Sequence, residues 1–200
     1  MAEFTIKTFD EKIHNIYIKG TVGEDMWQTV VDKINEIKGS DNEAIEQNTV
    51  SLKSAGIEFQ IIRPAINIYL CTYGGSVYDM LAIYDEIKKL TQEYVVNIYC
   101  VGKIMSAGTI IMLAVDLEHR FAYPNTTFMY HTLSSLILGK MKDLEENVEE
   151  EKRLHKLMWS IYKDNTEIPV EKLNEIYKCK KDWYITAEKA KKYKIISKIV

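Results

Sequence analysis

Three places in the sequence have residue types suited to hydrolysis, and Ser106 is one of them. It lies in the segment Gly102–Gly108, after a predicted strand and at the start of a predicted helix. A serine there lies near free backbone amides and the positive end of the helix dipole, which suits a nucleophile whose intermediate carries an oxyanion. Serine is also a common residue for simply capping a helix. Ser106 alone therefore leaves both interpretations open.

Gly74 and Gly75 form the second place, just after the predicted strand 66–71. Ligands of parallel α/β sheets bind beyond the carboxyl ends of the strands, and paired glycines allow backbone amides to approach a substrate closely. They could supply an oxyanion hole or pair with a peptide backbone, and a tight strand-to-helix turn also explains them. The pair does not fit G-x-G-x-x-G, so no dinucleotide site is indicated.

His131 is the third place, because it ends the apolar segment 128–130. Serine acylation needs a base of near-neutral pKa and usually a carboxylate that orients this base. A hydrogen-bonded core histidine is the alternative for His131, whereas His14, His119 and His155 lie in or beside charged segments and are predicted at the surface. The chain has twenty-nine Asp and Glu residues, so the local pattern indicates a Ser–His pair without naming its acid.

Strands and helices alternate along the chain, which predicts an α/β fold with a largely parallel sheet. The predicted strands are 13–18, 57–63, 66–71, 95–101, 120–123, 127–130 and 195–200. The predicted helices are one that opens at 23–25 and continues to about 37, then 77–90, 105–115, 139–163, one that starts at Pro169, and one through 192 that Thr186 caps. The polar segment 39–56 is predicted to be a loop or an insertion.

Composition places the chain among ordinary globular proteins. With 200 residues, 46% of them hydrophobic and 28% charged, it predicts a single domain over 1–200 and excludes collagen-like, low-complexity and fully disordered chains. A net charge of −3 gives no indication of nucleic-acid binding. Segment 104–115 is too short to span a membrane, and no signal peptide is indicated. Three widely spaced cysteines without C-x-x-C predict reduced thiols, no zinc site and a cytoplasmic location.

Taken in order, these segments resemble the ClpP peptidase family over roughly 15–200, apart from 39–56. The segments that carry the resemblance are Ile68–Val77, Leu81–Asp85, Gly102–Gly108, Tyr123–Asn125, Met129–His131 and Asp182–Ala190. The resemblance implies a crotonase-like spiral of ββα units with a protruding handle helix over about 132–165.

The same resemblance implies roles for individual residues. Ser106 is expected to be the nucleophile, His131 the general base and Asp182 the acid that orients it. The amides of Gly75 and Ala107 are expected to form the oxyanion hole, and Gly74 to lie in the turn that meets the substrate backbone. The expected activity is that of a serine endopeptidase that cleaves peptides and unfolded proteins through an acyl-enzyme.

The family works as heptameric or double-heptameric rings, to which an AAA+ unfoldase delivers polypeptides. The resemblance implies the same partners here, with neither nucleic acid nor membrane. No metal or cofactor is expected, and ATP would act only through the separate AAA+ partner, because the chain has no G-x-x-x-x-G-K-[ST] motif. Five side chains match the surface cleft that receives the partner, with buried core as their alternative: Tyr69, Tyr99, Val101, Phe121 and Tyr123.

Several departures indicate a divergent, atypical or phage-encoded member. About a dozen residues precede the first strand, so a truncated axial gating loop is expected. Tyr73 replaces the family's proline before the glycines, 132–136 lacks the glycine-rich pattern, and Lys180-Lys181 replaces an acidic–arginine pair. The alternatives are a capsid-maturation protease that works without an ATPase, a catalytically inactive ring subunit, and a non-proteolytic crotonase-fold enzyme acting on acyl-CoA.

Overall fold

Strands and helices alternate in the computed structural model, which describes residues 13–56, 61–132, 141–179 and 181–200. The strands within these ranges are β1 His14–Val22, β2 Ile66–Gly75, β3 Val96–Met105, β4 Arg120–Ala122, β5 Thr127–Tyr130, β6 Trp183–Thr186 and β7 Lys198–Ile199. The helices there are α1 Glu24–Ser54, α2 Val77–Leu90, α3 Ala107–Ile111, α4 Met141–Asn165, α5 Val170–Cys179 and α6 Ala187–Lys192. The predicted α/β class is confirmed.

The sheet is largely parallel and runs in the order β1-β2-β3-β4-β7. Strand β3 pairs with two neighbours in turn, because its residues 98–100 pair with β4 and its residues 103–105 pair with β5. Strand β6 then pairs antiparallel with β5. The carboxyl ends of β2, β3 and β5 consequently meet at one edge of the sheet.

The core lies on the helix-covered face of the sheet. Alternate residues of β2 and β3, such as Ile68, Leu70 and Ile98, are fully buried, as the period of two in a strand requires. Helices α1 and α2 bury one stripe each, with Ile34 of α1 and Ile83 of α2 among the buried residues. The opposite face carries a row of stacked aromatic rings from β1 to β4.

The predicted loop at 39–56 is wrong, because α1 continues through it to Ser54. Gly39 does not end the helix, since a glycine inside a helix costs only about 1 kcal/mol relative to alanine. The extension is held by buried contacts. The Asp41 carboxylate lies 2.9 Å from Nε2 of His14, and Leu52 is buried.

Several predicted boundaries differ from the structure. Of the predicted strand 57–63, residues 57–60 lie outside the described residues and 61–63 are not a strand. Strand β1 continues past Gly20 through a register shift, and β3 extends to Met105, so the predicted helix 105–115 begins only at Ala107 and ends in a 3₁₀ turn. The closing strand is shorter than predicted.

The three histidines predicted at the surface are only partly exposed. His14 contacts Asp41, and Nδ1 of His119 lies 3.0 Å from the Asn97 side-chain oxygen. The His155 ring packs against Trp159 with ring centroids 4.2 Å apart. Charged neighbours in sequence did not keep these rings in solvent, because each ring turns toward a different element or its own helix.

Helix α4 occupies the C-terminal part of the predicted handle, whose residues 133–140 lie outside the described residues. Its second half packs on the core through Leu154, Met158 and Tyr162. The guanidinium of the buried Arg120 donates to the Asn165 carbonyl oxygen at 2.8 Å, which anchors the end of α4 to the sheet. None of the described helices is long and apolar enough to cross a membrane.

Candidate active site

Strand register brings the predicted catalytic residues together. Ser106 follows the last residue of β3, and His131 follows the last residue of β5, which pairs in parallel with β3. Strands β5 and β6 run antiparallel with Tyr130 opposite Trp183. His131, one residue beyond Tyr130, and Asp182, one residue before Trp183, therefore emerge side by side.

Ser106 has a backbone conformation that is rare for a residue with a side chain. Its φ is 51° and its ψ is −119°, and such conformations cost about 1–3 kcal/mol unless the surroundings hold them. Although Ser106 sits at the N-cap position of α3, its side chain makes no capping hydrogen bond among the described residues. The capping interpretation of this serine is therefore not supported.

The Ser106 hydroxyl instead meets the imidazole. The distance between Ser106 Oγ and His131 Nε2 is 2.7 Å, which is a short hydrogen bond. A neutral imidazole with its proton on Nδ1 would accept the serine proton through Nε2, as a general base must. His131 is not a buried core histidine either, because 27% of its side-chain surface is exposed to solvent.

Asp182 lies on the other side of the imidazole, at a longer distance. Its Oδ1 is 4.0 Å from His131 Nδ1, and its side chain is 51% exposed. This distance permits an ion pair with a protonated ring but exceeds a hydrogen bond. The structure therefore brings together Ser106 and His131 at contact distance, with Asp182 close by.

Gly74 lies directly against the nucleophile. A Cβ added there would come within 2.6 Å of the Ser106 Cβ and 3.1 Å of the Ala107 nitrogen, and the φ of Gly74 is +103°. Only glycine fits both the space and the conformation. The paired glycines thus allow the end of β2 to approach the start of α3 closely.

The predicted oxyanion donors flank this approach. The Gly74 amide donates to Thr72 Oγ1 at 2.9 Å, so it is already engaged within the turn. Gly75 follows with a φ of +154°, packed so closely that a Cβ would lie 2.1 Å from the Val22 carbonyl oxygen. Ala107 is the first residue of α3, where backbone amides have no intrahelical acceptor.

Sequence reasoning missed residues that shape this site. The Thr72 hydroxyl donates to the Gly20 carbonyl oxygen at 2.6 Å while it accepts the Gly74 amide. The Lys103 ammonium lies 3.8 Å from the ring centre of Tyr73, the residue before the glycines. The only sequence signal for Thr72 is a threonine within an apolar strand.

No group of three His, Cys, Asp or Glu side chains that could hold a metal ion occurs in the part of the chain that the structure describes. The polar groups gathered at this edge are a hydroxyl, an imidazole, a carboxylate and backbone amides. These groups can carry out acyl transfer to serine followed by hydrolysis.

Comparison with known proteins gives consistent matches. The family model described as Clp protease matches residues 28–200. The ATP-dependent Clp protease proteolytic subunit of Deinococcus radiodurans is 31% identical over 162 residues, which cover 81% of this chain and 78% of that protein. The ATP-dependent Clp protease proteolytic subunit 2 of Chlamydia muridarum is 34% identical over 135 residues, which cover 68% of this chain and 64% of that protein.

The fold matches as well. A mutant of ClpP1 from Listeria monocytogenes superposes with a TM-score of 0.72 at 21% sequence identity, and the match covers 94% of this chain and 91% of that one. This confirms the predicted ClpP-like fold. Together with the family match over most of the sequence, it shows that this chain belongs to the Clp protease family and is a ClpP-like serine protease.

Proposed function

We propose that Ser106, His131 and Asp182 are the catalytic triad of this protease, with the amides of Gly75 and Ala107 as its oxyanion hole. The observation that carries the proposal is the 2.7 Å distance between Ser106 Oγ and His131 Nε2. The strained Ser106 backbone and the close approach of Gly74 support it, since strain at a single polar residue is typical of functional sites.

The proposed reaction proceeds through an acyl-enzyme. Ser106 Oγ attacks the scissile carbonyl carbon while His131 Nε2 takes its proton, and the carbonyl oxygen becomes an anion that accepts from the two amides. His131 then donates the proton to the leaving amine as the C–N bond breaks. Water, deprotonated by His131, attacks the ester carbonyl carbon. The bond from this carbon to Ser106 Oγ breaks, Oγ takes the proton back from His131, and the carboxylate product leaves. These steps need no metal or cofactor.

For Asp182 we propose an orienting role on the imidazole. A carboxylate near Nδ1 favours the tautomer with its proton on that atom and stabilises the imidazolium formed during attack. The separation of 4.0 Å is consistent with electrostatic stabilisation. A contact that tightens when substrate binds would strengthen this effect.

The proposed assembly is a heptameric or double-heptameric ring in the cytoplasm that degrades unfolded polypeptides delivered by an AAA+ unfoldase. The names of the relatives support this assembly, because they describe proteolytic subunits of an ATP-dependent Clp protease. So does a surface row of stacked rings, Tyr17, Tyr69, Tyr99 and Phe121, which would receive an apolar loop of the partner. The free state of all three cysteines fits a reducing compartment.

One alternative keeps the assembly and removes the activity. A ring subunit with a latent site would assemble without hydrolysing peptides, and the distance between Asp182 and His131 is the observation that favours it.

Two further alternatives differ in partner or in substrate. A protease that works without an ATPase, as in capsid maturation, would degrade casein with no unfoldase present. The alternative of an enzyme acting on acyl-CoA is disfavoured. Such an enzyme needs an oxyanion hole but no serine hydrogen-bonded to a histidine, and that pair is present here.

The deciding experiment is labelling with a fluorophosphonate probe, read by intact mass. The wild type should gain one adduct, which Ser106→Ala should lose. Ser51→Ala, which changes an exposed serine on α1, serves as the matched control and should label fully. An adduct that persists in Ser106→Ala would overturn the assignment of the nucleophile. Absence of any adduct on the folded, assembled wild type would instead favour the latent ring subunit.

A further inference from the structure

Ser106 is held on both sides of its strained backbone, and the bonds that hold it lead to a helix outside the triad. Its amide donates to the Met129 carbonyl oxygen at 2.9 Å. Its own carbonyl oxygen accepts from the Thr109 amide at 2.9 Å and from the Thr109 hydroxyl at 2.6 Å. Thr109 therefore makes two of the three hydrogen bonds that the described residues form with the Ser106 backbone.

The Thr109 hydroxyl is itself oriented by a residue of α4. The distance between Thr109 Oγ1 and the Tyr162 hydroxyl oxygen is 2.7 Å. The single proton of Thr109 goes to the Ser106 carbonyl, which can only accept, so the Tyr162 hydroxyl must be the donor in this pair. The result is a directed chain from Tyr162 to Thr109 to the Ser106 carbonyl.

Burial strengthens this chain of hydrogen bonds. Thr109 is fully buried and Tyr162 is 3% exposed, and burial raises the pKa of the Tyr162 phenol, so this donor keeps its proton throughout the neutral range. Buried hydroxyl groups that lose a partner are costly, and consecutive hydrogen bonds polarise one another. The orientation of the Thr109 hydroxyl is thereby fixed by α4.

We infer that Tyr162 is a positioning residue for catalysis, acting through Thr109 on the Ser106 carbonyl to hold Oγ in line with His131. The inference rests on the proposed function of Ser106 as nucleophile. Tyr162 touches neither the hydroxyl nor the imidazole in the described contacts. Its effect must therefore appear in the rate of acylation rather than in the protonation of the base.

The neighbouring Tyr130 provides a matched control. Its ring packs edge-on against Tyr162 with centroids 5.4 Å apart, and it is equally buried. Its hydroxyl, however, has no hydrogen-bond partner among the described residues. Tyr130→Phe and Tyr162→Phe thus remove the same atom from the same aromatic cluster, but only the second breaks the chain.

The test compares peptide hydrolysis and fluorophosphonate labelling in four variants of the full protein. Tyr162→Phe should lower kcat and the labelling rate by roughly 3- to 10-fold with KM unchanged, the factor expected for one hydrogen bond. Thr109→Val should lower them further, Thr109→Ser should restore most of the activity, and Tyr130→Phe should match the wild type. The midpoint of the pH–rate profile should stay unchanged in all four.

A double variant distinguishes positioning from general destabilisation. Because both residues act through one chain, Tyr162→Phe added to Thr109→Val should cause no further loss in kcat. Wild-type kcat in Tyr162→Phe, or equal losses in Tyr162→Phe and Tyr130→Phe, would overturn the inference. If Tyr162→Phe fails to fold, the contrast between Thr109→Val and Thr109→Ser decides. Activity that survives in Ser106→Ala would show a different failure, that of the proposed nucleophile.

Discussion

The Asp182 carboxylate lies 4.0 Å from Nδ1 of His131, whereas Ser106 Oγ lies 2.7 Å from Nε2 of the same ring. In the proposed triad, the Ser106–His131 pair is therefore in hydrogen-bond contact, whereas the His131–Asp182 pair is not. Ser106 and His131 extend from adjacent parallel strands, while Asp182 precedes an antiparallel strand and is half exposed. Solvent screens an exposed carboxylate, which weakens its effect on the imidazole.

Asp182→Asn should accordingly be less damaging than Ser106→Ala. We expect the two losses of kcat to differ by more than about a hundredfold, because a difference of that order already separates acid and nucleophile where the carboxylate bonds directly to the imidazole. The measurement is steady-state hydrolysis of a fluorogenic peptide. Glu171→Gln, which changes an exposed carboxylate on α5, is the control and should have wild-type kcat. A difference of about a hundredfold or less between Asp182→Asn and Ser106→Ala would contradict this prediction and would show that the carboxylate bonds directly to the ring in the working enzyme.

Gly74 and Gly56 both have a positive φ but lie in different environments. Their φ values are +103° and +69°, yet a Cβ on Gly74 would lie 2.6 Å from the Ser106 Cβ, whereas a Cβ on Gly56 would meet no described atom within 4 Å. Alanine at either position strains the backbone by about 1–2 kcal/mol. Only alanine at 74 must also displace the nucleophile.

Gly74→Ala should therefore lower kcat by about a hundredfold, as a displacement of roughly 1 Å at a reacting atom does. Gly56→Ala should lower the melting temperature by a few degrees, which is the effect expected for the same backbone strain, while peptide hydrolysis stays close to the wild-type rate. Activity and thermal melts of both variants provide the measurement. Full activity in Gly74→Ala would show that the turn does not constrain Ser106.

The proximity of Ser106 and His131 could be expected from the sequence more accurately than the bounds of the elements around them. Ser106, Gly74 and His131 each follow a predicted strand, and parallel strands bring their ends together, whereas the place of Asp182 beside them was expected only from the family resemblance. The Thr109–Tyr162 bond could not be predicted, because it joins residues 53 positions apart on helices whose packing no local pattern reveals.

The error at 39–56 has a similar cause. Polar composition and Gly39 indicated a loop, because the local pattern lacks an apolar stripe. The helix continues since Asp41 is buried against His14, and Asn42 accepts from the Arg63 guanidinium at 2.9 Å. These partners lie outside the helix, so tertiary contacts decide what the local sequence leaves open.

The contact between α4 and α5 should weaken in mild acid. The His155 ring lies 3.9 Å, centroid to centroid, from Tyr177 of α5 and is flanked by Trp159 of its own helix. Its buried Nε2 has no hydrogen-bond partner among the described residues. Burial lowers the pKa of His155 below its ordinary value of 6.5, so the folded state favours the neutral ring.

The sign of the effect follows from proton binding. As the pH falls below 6.5, the unfolded chain binds a proton at residue 155 before the folded chain does, so the free energy of unfolding decreases. Above pH 6.5 this contribution is fully present. His155→Phe should keep the aromatic packing and reduce the fall in melting temperature between pH 7.5 and 5.5. Identical pH dependence in the wild type and in His155→Phe would contradict this assignment.

The aromatic row on the open face of the sheet should matter for delivery of protein substrates and not for chemistry. Tyr17, Tyr69, Tyr99 and Phe121 stack with successive centroids 5.1–5.2 Å apart, and Tyr17 keeps 66% of its exposure. Such rings offer a continuous apolar surface to a partner. They lie on the middle of their strands, whereas the catalytic residues follow the strand ends.

Tyr69→Ser combined with Tyr99→Ser should therefore leave hydrolysis of a short peptide close to the wild-type rate. Degradation of a folded protein in the presence of an AAA+ unfoldase should fall at least tenfold, since central aromatic residues contribute about 2 kcal/mol or more each to typical interfaces. Val50→Ser, which changes an exposed apolar residue on α1, is the control and should degrade both substrates normally. Parallel losses in the peptide and protein assays would place the damage in the fold or the ring, and undiminished protein degradation would exclude the row as the docking surface.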